Sequence, residues 1–220
     1  MTRLGTKPKG CYEPCSAYSK HAMILEGILT TTSATGAIHI APMGPNVDPS
    51  LKQLLLRPFR TSLSYHNLLK QGEGVFHVTD DVLLFARSAV SRLESIPSHF
   101  PPAKVKGFVL SDSCRYFEFR VTSIDDREER VRIDAEVVHT KTLRDFFGFN
   151  RAKHAVLEAA ILATRTEFLP HQEIQEEYRR LATLVEKTGG AREREAFEFL
   201  RAYLHEVIQQ RSPELLEGER

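Results

Sequence analysis

The period of the hydrophobic pattern changes once along this chain, which restricts it to a fold built of strands first and helices after. Phe117, Phe119 and Val121 alternate with Glu118, Arg120 and Thr122, the period of two expected of a strand with one buried face. Beyond about Asn150 the apolar residues recur at threes and fours. They are Ile174, Tyr178, Leu181 and Val185, then Phe197, Leu200, Leu204, Val207 and Ile208. Each stripe lies on an otherwise charged surface, so these segments read as helices packing on one another and on the sheet.

The first half divides further at its turn residues. Ile24–Thr32 reads as a strand, Ala34-Thr35-Gly36 as a turn and Ala37–Ala41 as the returning strand of a hairpin. Gly44-Pro45-Asn46-Val47-Asp48-Pro49 is crowded with breakers and reads as a loop. Leu54–Phe59 is a further strand. A short helix over Ser64–Leu69 follows, with Ser62 or Ser64 as its cap and Gly72 as its stop. Gly74–Thr79 resumes the strand pattern, and Asp80-Asp81 opens a helix whose acidic start suits the helix dipole. Ile96–Ala103 is a Pro-rich connector. Strands over Tyr116–Ile124 and Val131–Val138 flank a hairpin tip at Asp125–Glu128. In the C-terminal part, Asn150 caps a helix that runs to about Phe168. The expected organisation is a disordered or non-native tail at 1–22, a barrel domain at 23–148 and a helical region at 149–220.

Composition excludes several classes of function. The net charge is +1 with 27% charged residues, so there is no basic footprint for nucleic acid. No apolar run reaches the roughly 18–20 residues that cross a bilayer, and Met1–Lys20 lacks an apolar export core. Three cysteines, Cys11, Cys15 and Cys114, form no disulfide framework. Cys11, Cys15 and His21 fit no zinc spacing. The expectation is a cytoplasmic protein with no metal.

Two segments carry candidate chemistry. In His39-Ile40-Ala41-Pro42-Met43-Gly44 an apolar strand stops at a proline, which withholds a ladder donor, and then passes a glycine without a side chain. Such a strand end can present backbone groups to the polar edge of a planar ring, and Met43 can cover a ring face. An ordinary strand and turn would look the same. Arg57-Pro-Phe-Arg60-Thr61-Ser62 sets two guanidinium groups and two hydroxyls beside a helix start. That combination suits a phosphate, and equally a solvated basic turn. His77 and His139 read as strand-end histidines. His154 and Glu158, four apart, share a helix face with Arg165 two turns on. This row reads either as proton-transfer groups or as a polar network fixing the helix. No Walker or dinucleotide glycine pattern is present.

Taken in order, His39–Gly44, Arg57–Leu68, Val75–Asp81 and Phe149-Asn-Arg-Ala152 through Thr164-Arg165 resemble the FMN-binding split-barrel superfamily. They are most similar to a small branch of flavoproteins related to flavin reductases and flavoredoxins. His39 and His77 stand where that branch has Asn. The resemblance implies an α+β fold: a six-stranded antiparallel split β-barrel with a C-terminal helical extension. It also implies FMN as cofactor and a homodimer with FMN near the interface. The implied FMN contacts are His39, Ile40, Ala41, Pro42, Met43 and Gly44 along the ring. Arg57, Arg60, Thr61 and Ser62 surround the phosphate and ribityl chain, and Tyr65, Asn67 and His77 complete the set. The implied activity is hydride transfer through flavin N5 to a small acceptor, with a link to tetrahydromethanopterin-based one-carbon metabolism. A small-molecule substrate or electron donor is the expected partner, and no side-chain acid or base is assigned. A flavin carrier or sensor, and an interaction protein that has lost FMN, are the rival expectations.

Overall fold

The first hairpin organises the whole sheet. In the computed structural model, which describes residues 23–217 and side chains as far as Gln210, its outgoing strand is β1 (Met23–Ile24) and β2 (Gly27–Thr32). Its return is β3 (Ile38–Met43) and β4 (Asn46–Val47). The expected tail at 1–22, with Cys11 and Cys15, lies outside the described residues. The register never slips along this hairpin. Met23 faces Val47, Ile24 faces Asn46, Gly27 faces Met43 and Thr32 faces Ile38. Across the interruption, Leu25 N–H donates to the Pro45 carbonyl at 3.1 Å. The four segments are therefore two long strands, each kinked in the middle. Their turn is a bulged type: Ser33 N–H donates to Ala37 O at 2.9 Å and Gly36 N–H to Ser33 O at 3.0 Å. Gly36 sits at φ 84°, a conformation that favours glycine.

The kink closes the barrel. β2 pairs with β6 (Glu73–Val78), β6 with β9 (Arg115–Asp125), β9 with β10 (Arg132–Thr142), and β10 with β5 (Gln53–Leu56). β5 then pairs with β4, the far end of the hairpin that began the circuit. Counting each kinked strand once, six antiparallel strands close on themselves. β3 and β1 are each paired on one side only, which splits the seam. The expected loop over 44–49 is corrected here: Asn46 and Val47 form the short strand that completes closure, and only Gly44 and Pro45 lie in the kink.

Helix boundaries follow their caps. α1 (Leu63–Gln71) begins at Ser62, whose hydroxyl accepts from Tyr65 N–H, and stops at Gly72 with φ 69°. Asp81 caps α2 (Val82–Ala89) by accepting from Leu83 and Leu84 N–H. Asn150 caps α3 (Arg151–Ala163) through Ala152 and Lys153 N–H. α3 ends at Ala163, short of the expected Phe168, where Thr164 and Arg165 turn back onto the last carbonyls. α4 (His171–Thr188) and α5 (Ala191–Glu217) follow. The Pro-rich connector holds a small pair of strands, β7 (His99–Phe100) and β8 (Val109–Leu110).

Two cores result. One fills the barrel with Leu29, Leu56, Leu68, Phe76, Phe117 and Phe119. The other lies among the helices, where Ala152, Ala155, Ala159 and Ala163 of α3 let Ile174, Tyr178, Phe197 and Leu200 approach closely. Helix α2 comes from the barrel half of the sequence, yet its Val82, Leu83 and Ala86 belong to the helical core. Its Phe85 packs with Ile28, Ile40 and Leu110 against the barrel. A buried carboxylate fixes the connector. Glu118 on β9 is 0% exposed and accepts N–H bonds from Ala103 at 2.7 Å, Lys104 at 2.5 Å and Val105 at 3.2 Å. Glu118→Ala strands those donors and is expected to cost about 2–4 kcal/mol, read as a lower urea midpoint with an unchanged slope.

Candidate functional site

The edge of β3 is free, but the strand does not stop at Pro42 as expected: Pro42 faces Ile28 and pairing continues through Met43, because the missing N–H falls on the unpaired side. The bond from Ser33 to Ala37 fixes the alternation of the ladder. His39 and Ala41 therefore turn their backbone groups toward Thr31 and Leu29, while Ile38 and Ile40 turn theirs away from the sheet. Pro42 falls on the outward set and supplies a carbonyl without an N–H. Met43 packs against the barrel core. Gly44 is glycine for a local reason: a Cβ there would lie 2.6 Å from Ile24 Cγ2 and 3.0 Å from both carboxylate oxygens of Glu26. His39 is half-buried, and burial lowers its pKa, so its ring is neutral at pH 7.

The expected phosphate cluster separates into two. Beyond β5 the chain keeps pairing with β10: Phe59 bridges Arg130, Val131 N–H donates to Pro58 O, and Arg60 N–H donates to Glu129 O. In extended chain, residues three apart point to opposite faces. Arg60 turns toward α1, where its guanidinium donates to Asp126 O at 3.4 Å. Arg57 turns to the outer wall and donates to Arg130 O at 3.2 Å. The two arginines thus do not converge on one oxyanion. Thr61 is exposed, and Ser62 spends its hydroxyl on the cap of α1. The N–H groups of Leu63 and Ser64, at the start of α1, meet no acceptor among the described residues.

Three other expected contacts are tied to the fold. The Tyr65 hydroxyl donates to Asp126 at 2.8 Å, which raises its pKa. Asn67 donates to Thr31 Oγ1 at 3.0 Å and fastens α1 to β2. His77 is 0% exposed. Its Nδ1 lies 3.1 Å from the Ile28 carbonyl, and its Nε2 accepts from Leu110 N–H at 3.1 Å. The Nε2 acceptor fixes the tautomer with the proton on Nδ1, and neither nitrogen is left for a ligand. Burial pushes its pKa down to about 4, against the smaller opposing pull of the Ile28 carbonyl.

Two groups of charged residues escaped the sequence reading. Glu26 stands over the kink, and burial, followed by the charge of Glu158 on α3, raises its pKa. In sequence it reads only as a polar interruption of an apolar strand. The second group joins barrel to helices. Asp80 receives both Arg144 Nη atoms, at 2.6 and 3.0 Å, and Phe147 N–H at 2.8 Å. Lys153 donates to Asp80 O at 2.8 Å and to Glu193 at 2.7 Å. The Arg144 hydrogen bonds hold the Asp80 carboxyl down to about 2 against the effect of burial. A polar recess of about 330 Å³ opens here, and a groove of about 780 Å³ runs between α4 and α5. Neither includes a residue of the expected flavin set.

A six-stranded antiparallel barrel closed by a kinked hairpin, with helices on its wall, is the split-barrel class to which FMN-binding flavoproteins belong. Within it, the chain belongs to the DUF447 family. The description "Protein of unknown function (DUF447) N-terminal domain" matches residues 25–144, and "Protein of unknown function (DUF447)" matches residues 150–202. Among solved structures, the chain is similar to the FMN-bound DUF447 protein MM1853 from Methanosarcina mazei. Identity is 24%, the TM-score is 0.72, and 86% of this chain and 98% of that one are covered. The flavin reductase of styrene monooxygenase from Pseudomonas putida S12 aligns at 15% identity and TM-score 0.44, over 57% of this chain and 83% of its own. The 2-nitrobenzoate 2-nitroreductase NbaA from Pseudomonas fluorescens aligns at 12% and 0.45, over 53% and 64%. These last two superpositions are too loose to bear on chemistry.

The shifted groups set the acid response. The folded-state pKa of His77 lies below its ordinary value. Its contribution is therefore present above about pH 6.5 and is lost as pH falls through about 4. Asp80 is also depressed, so its contribution is present above about pH 4 and is lost as pH falls toward 2. His77→Asn is expected to flatten the stability profile between pH 6.5 and 4, a span of about 3 kcal/mol in wild type. Asp80→Asn is expected to remove about 2 kcal/mol at pH 7 and flatten the profile below pH 4. Urea unfolding at stepped pH reads both.

Proposed function

We propose that this protein binds FMN and acts as a flavin-dependent oxidoreductase. The observation that carries the reading is the meeting of α1 with the free edge of β3. There, α1 is fastened to the hairpin through Asn67 and Gln71, while at its other end its first amides lack acceptors among the described residues and its first turn holds no acid. A free strand edge and such a helix start are the two things an isoalloxazine ring and a phosphate require. In this reading Ile38–Gly44 line the ring. Arg60, Thr61 and the amides of Leu63 and Ser64 hold the phosphate, with Ser62 holding the helix start in place. Arg57 is left out because it faces the other way, and His77 because its ring is fully engaged. The likeness to an FMN-bound protein of the same family supports the choice of ligand.

FMN, when bound, supplies hydride transfer at its N5. The chain's part is position and polarity: β3 orients the ring edge, and neutral His39 offers it a donor or an acceptor. The site is open on one subunit, and apolar side chains stand exposed beside it. On α1 these are Leu63 and Leu69, and on β1 they are Met23 and Ile24. A second copy packed on this face closes the site and makes the homodimer. A flavin carrier is the second reading, favoured by the internal engagement of Tyr65, Asn67 and His77. Anaerobic mixing with NADH and NADPH separates the two, since a carrier leaves the bound flavin oxidised.

Titration of the purified chain with FMN, followed by quenching of flavin fluorescence, tests the site. Arg60→Gln is expected to weaken FMN about 10–100-fold, the scale of one charge-assisted contact, and to leave riboflavin affinity unchanged. Equal loss for both ligands, or no uptake of FMN by wild type, removes the proposal. Light scattering is expected to give twice the 25.0 kDa chain mass.

A further inference from the structure

The outer wall of the barrel carries a second group of cations that the flavin reading leaves unused. Arg57 and Phe59 lie on one face of the chain beyond β5, and Arg130 lies opposite Phe59 at the start of β10. Each arginine is held by the other's backbone. Arg57 Nη2 donates to Arg130 O at 3.2 Å, and Arg130 Nη1 donates to Arg57 O at 3.0 Å. The Arg130 guanidinium is seated 3.8 Å over the Phe59 ring, an arrangement that fixes its plane. These contacts orient both groups without neutralising either.

The charge balance is the second observation. Among the described residues, Glu128 is the carboxylate paired with Arg57, at 3.5 Å, and its side chain is 80% exposed. Just past the end of α3, the exposed Arg165 adds its charge to that of Arg57 on Arg130, while Glu129 acts the other way. Burial first, and then these two cations, lower the pKa of Arg130. Arg57 Nε is buried without an acceptor among the described residues, so the present rotamer leaves a donor that a turn toward an incoming anion would satisfy. Three guanidiniums outnumber the two carboxylates that act on them, Glu128 on Arg57 and Glu129 on Arg130, and a bound oxyanion would offset the remaining repulsion. One fork fixed over a ring, at Arg130, and a second that can turn, at Arg57, match a group with two or three equivalent oxygens.

We propose that Arg57, Arg130 and Arg165 form an oxyanion site on the barrel wall facing α3, separate from the flavin phosphate. It receives the phosphate or carboxylate group of a small-molecule reactant. The site does not depend on the flavin reading, because it can be measured on the chain with or without FMN.

Calorimetric titration of the chain saturated with FMN, which fills the flavin phosphate position, with inorganic phosphate and, in a separate arm, with malonate tests it. One saturable site is expected for at least one of the two anions, and the tighter arm tells a phosphate-bearing from a carboxylate-bearing ligand. Arg130→Gln and Arg165→Gln are each expected to weaken that binding tenfold or more, whereas Arg60→Gln leaves it unchanged. Arg165 is exposed, so its variant keeps the test valid if Arg130→Gln fails to fold. Three results overturn the proposal: no saturable binding of either anion, equal loss in Arg60→Gln, or an Arg130→Gln variant that loses affinity for FMN but not for riboflavin. The last would place the flavin phosphate on the outer wall. Failure of FMN uptake alone would sink the flavin reading and leave this one standing.

Discussion

The unbroken register of one kinked hairpin is the constraint on which the rest of the molecule depends. Because Met23–Val47 and Gly27–Met43 belong to the same ladder, the two ends of the sheet are two ends of one ribbon. That ribbon pairs with β6 at one end and with β5 at the other. Closure removes most of the unpaired backbone that an open sheet exposes and leaves the outer side of β3 free. The kink that makes this possible needs Gly44, since Ile24 and Glu26 occupy the space its side chain would take. The free edge and the bend are consequences of one geometric event.

Much of this was legible in the sequence wherever the determining interaction is local. The turn at Ala34-Thr35-Gly36, the cap at Ser62, the stop at Gly72 and the cap at Asn150 are set by residues within four positions of one another, and each is found where its chemistry places it. The alternation from Phe117 to Val121 likewise marks β9. The resemblance carried by four ordered motifs supplied the closed topology, which no local pattern encodes.

What was not legible depends on long-range pairing. Arg57 and Arg60 look like partners because they are near in sequence. Their separation onto two faces is imposed by the 129–131 segment, which continues the β5–β10 ladder past its regular end. Arg130 lies in a charged run, Arg127-Glu128-Glu129-Arg130, that reads as a solvated hairpin tip, and its partner is 73 residues away. Asn46-Val47, two residues between breakers, pairs only because the kink brings it beside β5. His77 shows the same limit. Its ring nitrogens are spent on Ile28 and Leu110, which no spacing rule connects.

Helix α2 has a wider consequence. It is encoded inside the barrel half, yet it fills the hydrophobic centre of the C-terminal bundle with Val82, Leu83 and Ala86, while Phe85 grips the sheet. Neither half can complete its own interior from its own stretch of polypeptide. The two matched regions, 25–144 and 150–202, therefore share an interior through α2, and removing the second would uncover Val82, Leu83 and Ala86.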